Sequence, residues 1–229
     1  MDRMKQAIAS IVFLGLMTSQ AAARCCGDCD DDGEVRINEL IRAVNNSLDG
    51  CSDEPRFVDN GDGTVTDNET GLMWEQKTGA VGNTGECPGA VTCADPHNVN
   101  NLYSWASNLG EFEFSGVARF LYVLNDVEGG GASCFAGHCD WRLPTSNGLG
   151  GIGPQQPAEL ESIVDCSGGE PCVSPVFGPT ASDIYWSSSP SPVGSCDGQS
   201  IWVVDFGSGE GNGTVSTAKR FVRAVRGGP

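Results

Sequence analysis

The 229-residue sequence is poor in basic residues and in histidine. It contains 13 Lys and Arg against 30 Asp and Glu, a formal net charge of -17, and only 2 His. A surface this acidic repels phosphate and sulfate polymers. The composition therefore argues against nucleic-acid partners, disfavours sulfated polymers and favours divalent cations.

The sequence also lacks a hydrophobic run long enough to span a bilayer. Its longest apolar stretch, residues 7–17 (AIASIVFLGLM), falls well short of the roughly 20 residues required. Arg3 and Lys5 precede this stretch and small residues follow it up to Ala23, the layout of a signal peptide. We expect residues 1–23 to be removed and the chain to be secreted or held at the cell surface, periplasmic or extracellular, without membrane insertion.

Familiar catalytic motifs are absent. The sequence contains no GxSxG, HExxH or phosphate-binding loop. Its two histidines are His97 and His138, and His138 lies between Cys134 and Cys139, where a structural role is expected. A thiol or zinc site at residues 134–139 (CFAGHC) stays an alternative. No pair of carboxylates stands out, so we expect a protein that is not an enzyme and has no catalytic residues.

Cysteine is abundant, and all 11 cysteines follow the predicted cleavage site. In an oxidising compartment they are expected to form disulfides. Proximity in sequence pairs Cys87 with Cys93, Cys134 with Cys139 and Cys166 with Cys172. Cys25, Cys26, Cys29, Cys51 and Cys196 remain, and the pairing among these five is open.

A twelve-residue segment at positions 28–39 (DCDDDGEVRINE) has the spacing of an EF-hand calcium loop. Asp28, Asp30 and Asp32 fall at positions 1, 3 and 5, Glu34 supplies a backbone carbonyl, and Glu39 closes the shell at position 12. Gly33 permits the sharp turn at position 6. We expect calcium as the cofactor; the alternative is an acidic turn that caps the following helix at residues 36–48.

This segment resembles a single dockerin or EF-hand repeat of secreted bacterial proteins. Dockerins contain a duplicated pair of such loops, whereas this sequence has one. The resemblance therefore does not imply that the protein docks to a scaffold protein. One repeat buries little apolar surface, and a Cys29–Cys51 staple or packing on the next domain is expected to hold it. The predicted domains are a signal peptide (1–23), a calcium module (24–52) and a main domain (53–229).

In the main domain, short β-type runs alternate with glycine-rich turns. The runs FVD and TVTD flank the turn NGDG, a strong hairpin signal. Helices are predicted over residues 103–109, 117–127 and 157–165, and late strands at IYWSSS, IWVVDF and RFVRAVR.

Several strings in this domain together resemble the Lcl C-terminal domain family, which is named for a collagen-like bacterial adhesin. They are FVDNGDGTVTDNETGLMWEQ, YSWASNL, CDWRLPT followed by AELESIVD, YWSSS, WVVDFGSG and FVRAVRGG. The resemblance implies an α+β domain of the C-type lectin-like or formylglycine-generating-enzyme-like kind, with a distorted antiparallel sheet and two or three helices. An insertion, SNGLGGIGPQQP, separates WRLPT from the ELES string here, and the adhesin's sulfated ligands do not suit an acidic surface.

We therefore expect a non-enzymatic binding or adhesion protein that recognises extracellular carbohydrate or a protein surface. Tyr185, Trp186, Trp202 and Asp205 are the candidate ligand-binding residues, since exposed aromatics stack on sugars and carboxylates accept hydrogen bonds from sugar hydroxyls. The alternative for Trp74, Trp141, Trp186 and Trp202 is packing in the core. Two other functions stay open. One is an assembly component that docks a partner through the calcium module, with a homo-oligomer among the open partners. The other is a formylglycine-generating-enzyme-like oxidoreductase.

Overall fold

The computed structural model describes Val44 and residues 55–87, 91–105, 116–148, 158–192 and 200–227. The chain divides into two units, Met1–Glu54 and Pro55–Pro229. In the first unit the description covers Val44 alone, which is helical and exposed. The predicted signal peptide, calcium loop and Cys29–Cys51 staple, together with Cys25, Cys26 and Cys196, lie outside the described residues.

Short strands dominate the described part of the second unit. They are β1 (Phe57–Asp59), β2 (Thr64–Asp67), β3 (Leu72–Glu75), β4 (Gly85–Cys87), β5 (Asn101–Ser104), β6 (Ile184–Ser191), β7 (Ser200–Asp205), β8 (Gly211–Val215), β9 (Lys219–Arg220) and β10 (Val225–Gly227). These strands form three sheets with the orders β1-β2-β3-β10, β4-β5-β9 and β6-β7-β8. Among the pairs of these named strands, β4 and β5 run parallel and all others run antiparallel.

Helices are few and short in the described residues. They are α1 (Val117–Leu124), α2 (Glu159–Ser162) and three 3-10 turns at Val91–Ala94, Phe135–Gly137 and Pro175–Phe177. The domain is thus α+β with mainly antiparallel sheet, as the sequence predicts at that level.

The N-terminal hairpin confirms the strongest local prediction. Strands β1 and β2 pair from Phe57↔Asp67 to Asp59↔Val65. Gly61 and Gly63 in the connecting turn have φ of 76° and 90°, which side chains rarely adopt. The Asp62 carboxylate accepts hydrogen bonds from the Thr64 backbone N–H and hydroxyl, which fixes the turn.

The C-terminal strand of the described residues, β10, pairs with β3 near the start of the domain. In this pairing Val225 lies opposite Trp74, and Arg142 forms an isolated bridge with Val225. The string RFVRAVR, predicted as one strand, is divided: Arg220 ends β9, Val225 and Arg226 belong to β10, and Phe221 forms an isolated bridge with Tyr185. Strings far apart in sequence therefore meet around β3 and β10.

Helix α1 lies within the predicted range 117–127 and ends at Leu124. Val117, Phe120 and Leu124 are its buried residues, at the spacing of one helical face. Gly116 precedes the helix at φ 63°, and a Cβ there would collide with the carbonyl O of Ser104. Glycine is required at this start because the backbone of β5 approaches so closely.

The helix predicted over residues 103–109 is wrong at its start. Tyr103 and Ser104 belong to β5, where they pair with Arg220 and Lys219 of β9. Tyr103 also lies opposite Cys87 of β4. Pairing with two distant strands outweighs the local helical pattern, and residues 106–109 lie outside the described residues.

Two apolar clusters form the core. One contains Trp74, Phe177, Tyr185, Phe206 and Phe221, and the other contains Tyr103, Phe120, Trp141, Trp186 and Val203, among other residues. Each large aromatic contributes a large buried area to stability. The cysteine pairs Cys87–Cys93, Cys134–Cys139 and Cys166–Cys172 are all disulfide-bonded, the three pairs that proximity in sequence predicts.

Candidate ligand-binding cleft

The aromatic residues proposed to bind ligand are buried. Tyr185 and Trp186 are 1% and 0% exposed, and Trp202 is 7% exposed. The Tyr185 ring lies between Phe206 and Phe221, with centroid distances of 4.3 and 5.3 Å. These three side chains therefore present no ring face to a sugar, which corrects the prediction that they form a stacking surface.

The polar atoms of Tyr185 and Trp186 serve the core instead. The Tyr185 hydroxyl accepts a hydrogen bond from the Ala181 N–H at 3.0 Å, and the Trp186 indole N–H donates to the Tyr103 carbonyl at 2.7 Å. Burial raises the pKa of Tyr185 to about 12. Trp74, Trp141, Trp186 and Trp202 are all buried, so the packing alternative is confirmed for the four tryptophans.

Asp205, the fourth proposed ligand residue, shapes the turn between β7 and β8. Its carboxylate accepts a hydrogen bond from the Gly207 N–H at 2.7 Å, and its own N–H donates to the Glu210 carbonyl at 2.8 Å. The adjacent pocket has a volume of about 90 Å³, which is too small to hold an oligosaccharide. The structure does not bring Asp205 together with the three aromatics in one surface site.

The predicted calcium ligands Asp28, Asp30, Asp32, Glu34 and Glu39 lie outside the described residues, and calcium binding stays a prediction. Within the described ranges, no group of three or more His, Cys, Asp or Glu residues is arranged to hold a metal ion. His138 lies in the loop closed by Cys134 and Cys139, as the sequence indicates.

Sequence reasoning missed a buried charge cluster around Glu75. One carboxylate oxygen of Glu75 lies 2.8 Å from both Lys77 Nζ and His97 Nδ1, and the other accepts the Ala224 N–H at 2.9 Å. Burial alone would raise the pKa of Glu75, but Lys77 and His97 outweigh it and hold that pKa below its usual value. The only sequence signal was that Glu75 and Lys77 follow the apolar LMW run.

Arg223 connects the Glu75 cluster to the segment from Phe177 to Thr180. Its side chain is 0% exposed and donates to the carbonyls of Glu75 and Phe177 at 2.7 and 2.8 Å, and to the Thr180 hydroxyl at 2.9 Å. These bonds fix the segment from Phe177 to Thr180 against the end of β3.

That segment forms one wall of a cleft of about 710 Å³, which we name the 165–180 cleft. Its apolar lining consists of Val81, Pro171, Val173, Pro175 and Pro179, and its polar lining consists of Asp165, Ser167, Glu170, Ser174 and Thr180, with Gly168 and Gly178 between them. This volume is within the range of about 300–1,000 Å³ that small-molecule sites occupy. Sequence reasoning missed the cleft, although the short cysteine pair and the many prolines at 165–180 were visible.

Both walls of the cleft are held in place. One wall contains the loop closed by the Cys166–Cys172 disulfide. The Cys172 N–H of this loop donates to the Phe206 carbonyl at 2.6 Å. In the other wall, which continues to Thr180, the Gln76 side chain donates to the Val176 carbonyl at 2.6 Å. A ligand entering this cleft would meet surfaces that need little ordering, which reduces the free-energy cost of binding.

The cleft carries negative charge. Asp165 and Glu170 are its ionisable lining residues, and none of its described lining residues is basic. Hydrogen bonds from the Ser167 side chain and backbone N–H hold the pKa of Asp165 below its usual value. Asp165 is therefore a carboxylate at neutral pH.

A second groove of about 520 Å³ lies between α1 and the segment that begins at Arg142. Its lining is mostly apolar and includes Trp105, Val117 and Leu121. The Arg142 guanidinium on its rim is already bound by both Glu159 carboxylate oxygens, at 2.6 and 2.7 Å. The 165–180 cleft is larger and has more polar lining residues, so it is the better candidate site.

The Arg142–Glu159 pair also explains why two of the strings occur together. Arg142 belongs to CDWRLPT and Glu159 to AELESIVD. The Glu159 carboxylate further accepts the Thr145 N–H at 2.8 Å, so α2 anchors the segment that follows Trp141. The insertion between the two strings does not prevent this contact.

Fold and site together define a disulfide-stabilised, mainly antiparallel α+β domain with a preformed surface cleft. Residues 63–226, more than half of the chain, match the Lcl C-terminal domain family. The chain belongs to this family. No curated protein and no solved structure matches it.

The three disulfides among the described residues fit a protein that folds in an oxidising compartment. Within the described ranges, no helix is long and apolar enough to cross a membrane.

Proposed function

We propose that this protein is a secreted binding protein whose main domain holds an extracellular carbohydrate chain in the 165–180 cleft. The observation that carries the proposal is the cleft itself, with a volume of about 710 Å³ and a lining that contains both apolar and polar groups. Prolines and valines can pack against the C–H faces of sugar rings, while carboxylates and hydroxyls form hydrogen bonds with sugar hydroxyls. The function requires no catalytic residue.

The finer fold assignment is part of this proposal. We place the domain among C-type lectin-like folds, which the formylglycine-generating enzymes also resemble. Membership of the Lcl C-terminal domain family and the mainly antiparallel sheet with few helices support this placement. The net charge of -17 supports neutral or cationic ligands over sulfated ones.

We further propose that the N-terminal loop binds one calcium ion through Asp28, Asp30, Asp32, Glu34 and Glu39. The spacing of these residues supports it, with an affinity of about 0.1–1 mM expected for an extracellular module. Calorimetric titration of calcium into the chelated full chain should show one equivalent. A D28A/E39A variant should show none, whereas equal heats from both proteins would refute this site.

The carbohydrate proposal is tested by filling the cleft. Gly168 lines the cleft, its φ is ordinary, and a Cβ there would meet no atom within 4 Å. Gly168→Trp should therefore fold normally and occupy the cleft. Val127→Trp adds similar bulk at a side chain that is 55% exposed and outside the cleft, and it serves as the matched control.

The measurement is binding to an array of extracellular polysaccharide fragments. The wild-type protein and Val127→Trp should bind the same fragments, and Gly168→Trp should lose them. Fragments bound equally by all three proteins would place the binding site elsewhere, and an array without any bound fragment would contradict carbohydrate binding.

A further inference from the structure

We infer that the 165–180 cleft selects sugar chains that carry protonated amino groups. This inference rests on the proposed function and specifies its ligand class. It depends on the negative charge of the cleft, on two carboxylates that form no ion pair and on the prolines in the lining.

Asp165 and Glu170 differ from the acidic residues that stabilise the fold. Asp67, Glu75 and Glu159 each form an ion pair with a basic side chain. Among the ion pairs of the described residues, none involves Asp165 or Glu170. The two cleft carboxylates therefore keep their negative charge available to a ligand.

Both carboxylates lie on the same wall. Asp165 immediately precedes Cys166, and Glu170 lies inside the loop that the Cys166–Cys172 disulfide closes. Because this short loop is cross-linked, the backbone that carries Glu170 close in sequence to Asp165 is restrained. A chain with amines on successive units could engage both carboxylates.

The prolines in the lining suit a sugar better than a peptide. Pro171, Pro175 and Pro179 have no backbone N–H, so the cleft offers few main-chain hydrogen bonds to a peptide that would add as an extra strand. Proline rings can still pack against the C–H face of a sugar ring. The combination favours an amino sugar over a lysine-bearing peptide.

The test compares two sugar chains that differ only in their amines. The probes are a β-linked glucosamine hexamer and the same hexamer with every amine acetylated. Binding of each to the full-length wild-type protein is measured by calorimetry at roughly 0.15 M salt, where the Debye length is about 8 Å and distant charges are screened. The wild type should bind the free-amine hexamer about fivefold or more tightly than the acetylated one, as two exposed ion pairs allow.

Variants show which charges act. Asp165→Asn combined with Glu170→Gln should abolish the preference for the free-amine hexamer and leave binding of the acetylated hexamer unchanged, which also shows that the cleft is folded. Glu86→Gln combined with Glu128→Gln removes two surface charges outside the cleft and should keep the preference. If this control pair loses the preference to the same degree, attraction to the overall negative charge explains it, and the inference is overturned.

The remaining outcomes separate the two proposals. If both hexamers bind equally and Gly168→Trp blocks both, the cleft is a carbohydrate site without amine selectivity, so this inference fails and the proposed function stands. If neither hexamer binds, both fail for this sugar class. If a lysine hexapeptide binds as tightly as the free-amine hexamer, the sugar body contributes nothing and the inference is overturned.

Discussion

Glu75 satisfies donors that would otherwise be buried without a partner. Its carboxylate is fully buried and contacts Lys77, His97 and the Ala224 N–H. A charged group in an apolar interior is tolerated only when opposite charges and hydrogen bonds compensate its lost hydration. Arg223, also fully buried, extends this network to the wall of the cleft.

Replacing Glu75 should therefore be costly. Glu75→Gln leaves the Lys77 ammonium buried without a counter-charge, and we expect a loss of about 3–5 kcal/mol in the free energy of unfolding. Denaturant unfolding followed by tryptophan fluorescence measures it, since all 5 Trp lie in the main domain. The control Glu128→Gln, at a carboxylate that is 73% exposed, should change stability by less than about 0.5 kcal/mol. A loss below about 1 kcal/mol for Glu75→Gln would show that the cluster does not stabilise the fold.

Alanine substitutions at two glycines of the cleft are expected to have opposite effects on stability. Gly178 has φ 76°, and a Cβ there would lie 2.5 Å from the Lys77 carbonyl O, whereas a Cβ at Gly168 meets no atom within 4 Å. Gly178→Ala should destabilise the domain by about 2–4 kcal/mol through strain and collision. Gly168→Ala should be neutral or stabilising by up to about 1 kcal/mol, because it restricts the unfolded chain. Equal midpoints for the two variants in thermal unfolding would contradict the wall geometry.

At the scale of elements, α2 is a single helical turn whose importance lies in Glu159. Burial alone would raise the pKa of Glu159, but hydrogen bonds from Arg142 and from the Thr145 N–H outweigh it and hold that pKa below its usual value. The carboxylate links α2 to the segment that follows Trp141 and, through Arg142, to the Gly227 carbonyl of β10.

The lowered pKa of Glu159 predicts how the free energy of unfolding depends on pH. Since the pKa of Glu159 is lower in the folded protein than in the unfolded chain, the unfolded chain binds more protons between the two values. Its stabilising contribution is complete above the unfolded pKa of about 4.3 and disappears as the pH falls through the folded pKa. Unfolding free energies measured from pH 6 downward should fall less steeply for Glu159→Gln than for wild type; parallel curves would contradict the role of this carboxylate.

Local chemistry determined which elements were predictable. The β1–β2 hairpin follows from two glycines in one turn, and α1 follows from the spacing of Val117, Phe120 and Leu124. The failure at Tyr103 has a different cause, because β5 exists only through pairing with β4 and β9, which are distant in sequence. The cleft was missed for the same reason, because Val81 lines it and Arg223 holds its wall at Phe177 and Thr180, and both are far from residues 165–180 in sequence.

At the scale of the whole molecule, the strings that define the family are mostly structural. Trp74, Trp186 and Arg223 are buried, and the WRLPT and ELES strings meet in the Arg142–Glu159 pair. The cleft lies mainly in the irregular segment between the AELESIVD and YWSSS strings. We therefore place ligand recognition in the 165–180 cleft and stability in the family strings.

The measurement that tests this account most directly is an NMR titration of the ¹⁵N-labelled full chain with the glucosamine hexamer. The account predicts chemical-shift changes at the backbone amides of Ser167, Gly168, Glu170, Ser174 and Thr180, with little change around the core residues Tyr185, Trp186 and Trp202. Changes centred away from the 165–180 cleft, or no change at saturating hexamer, would contradict it.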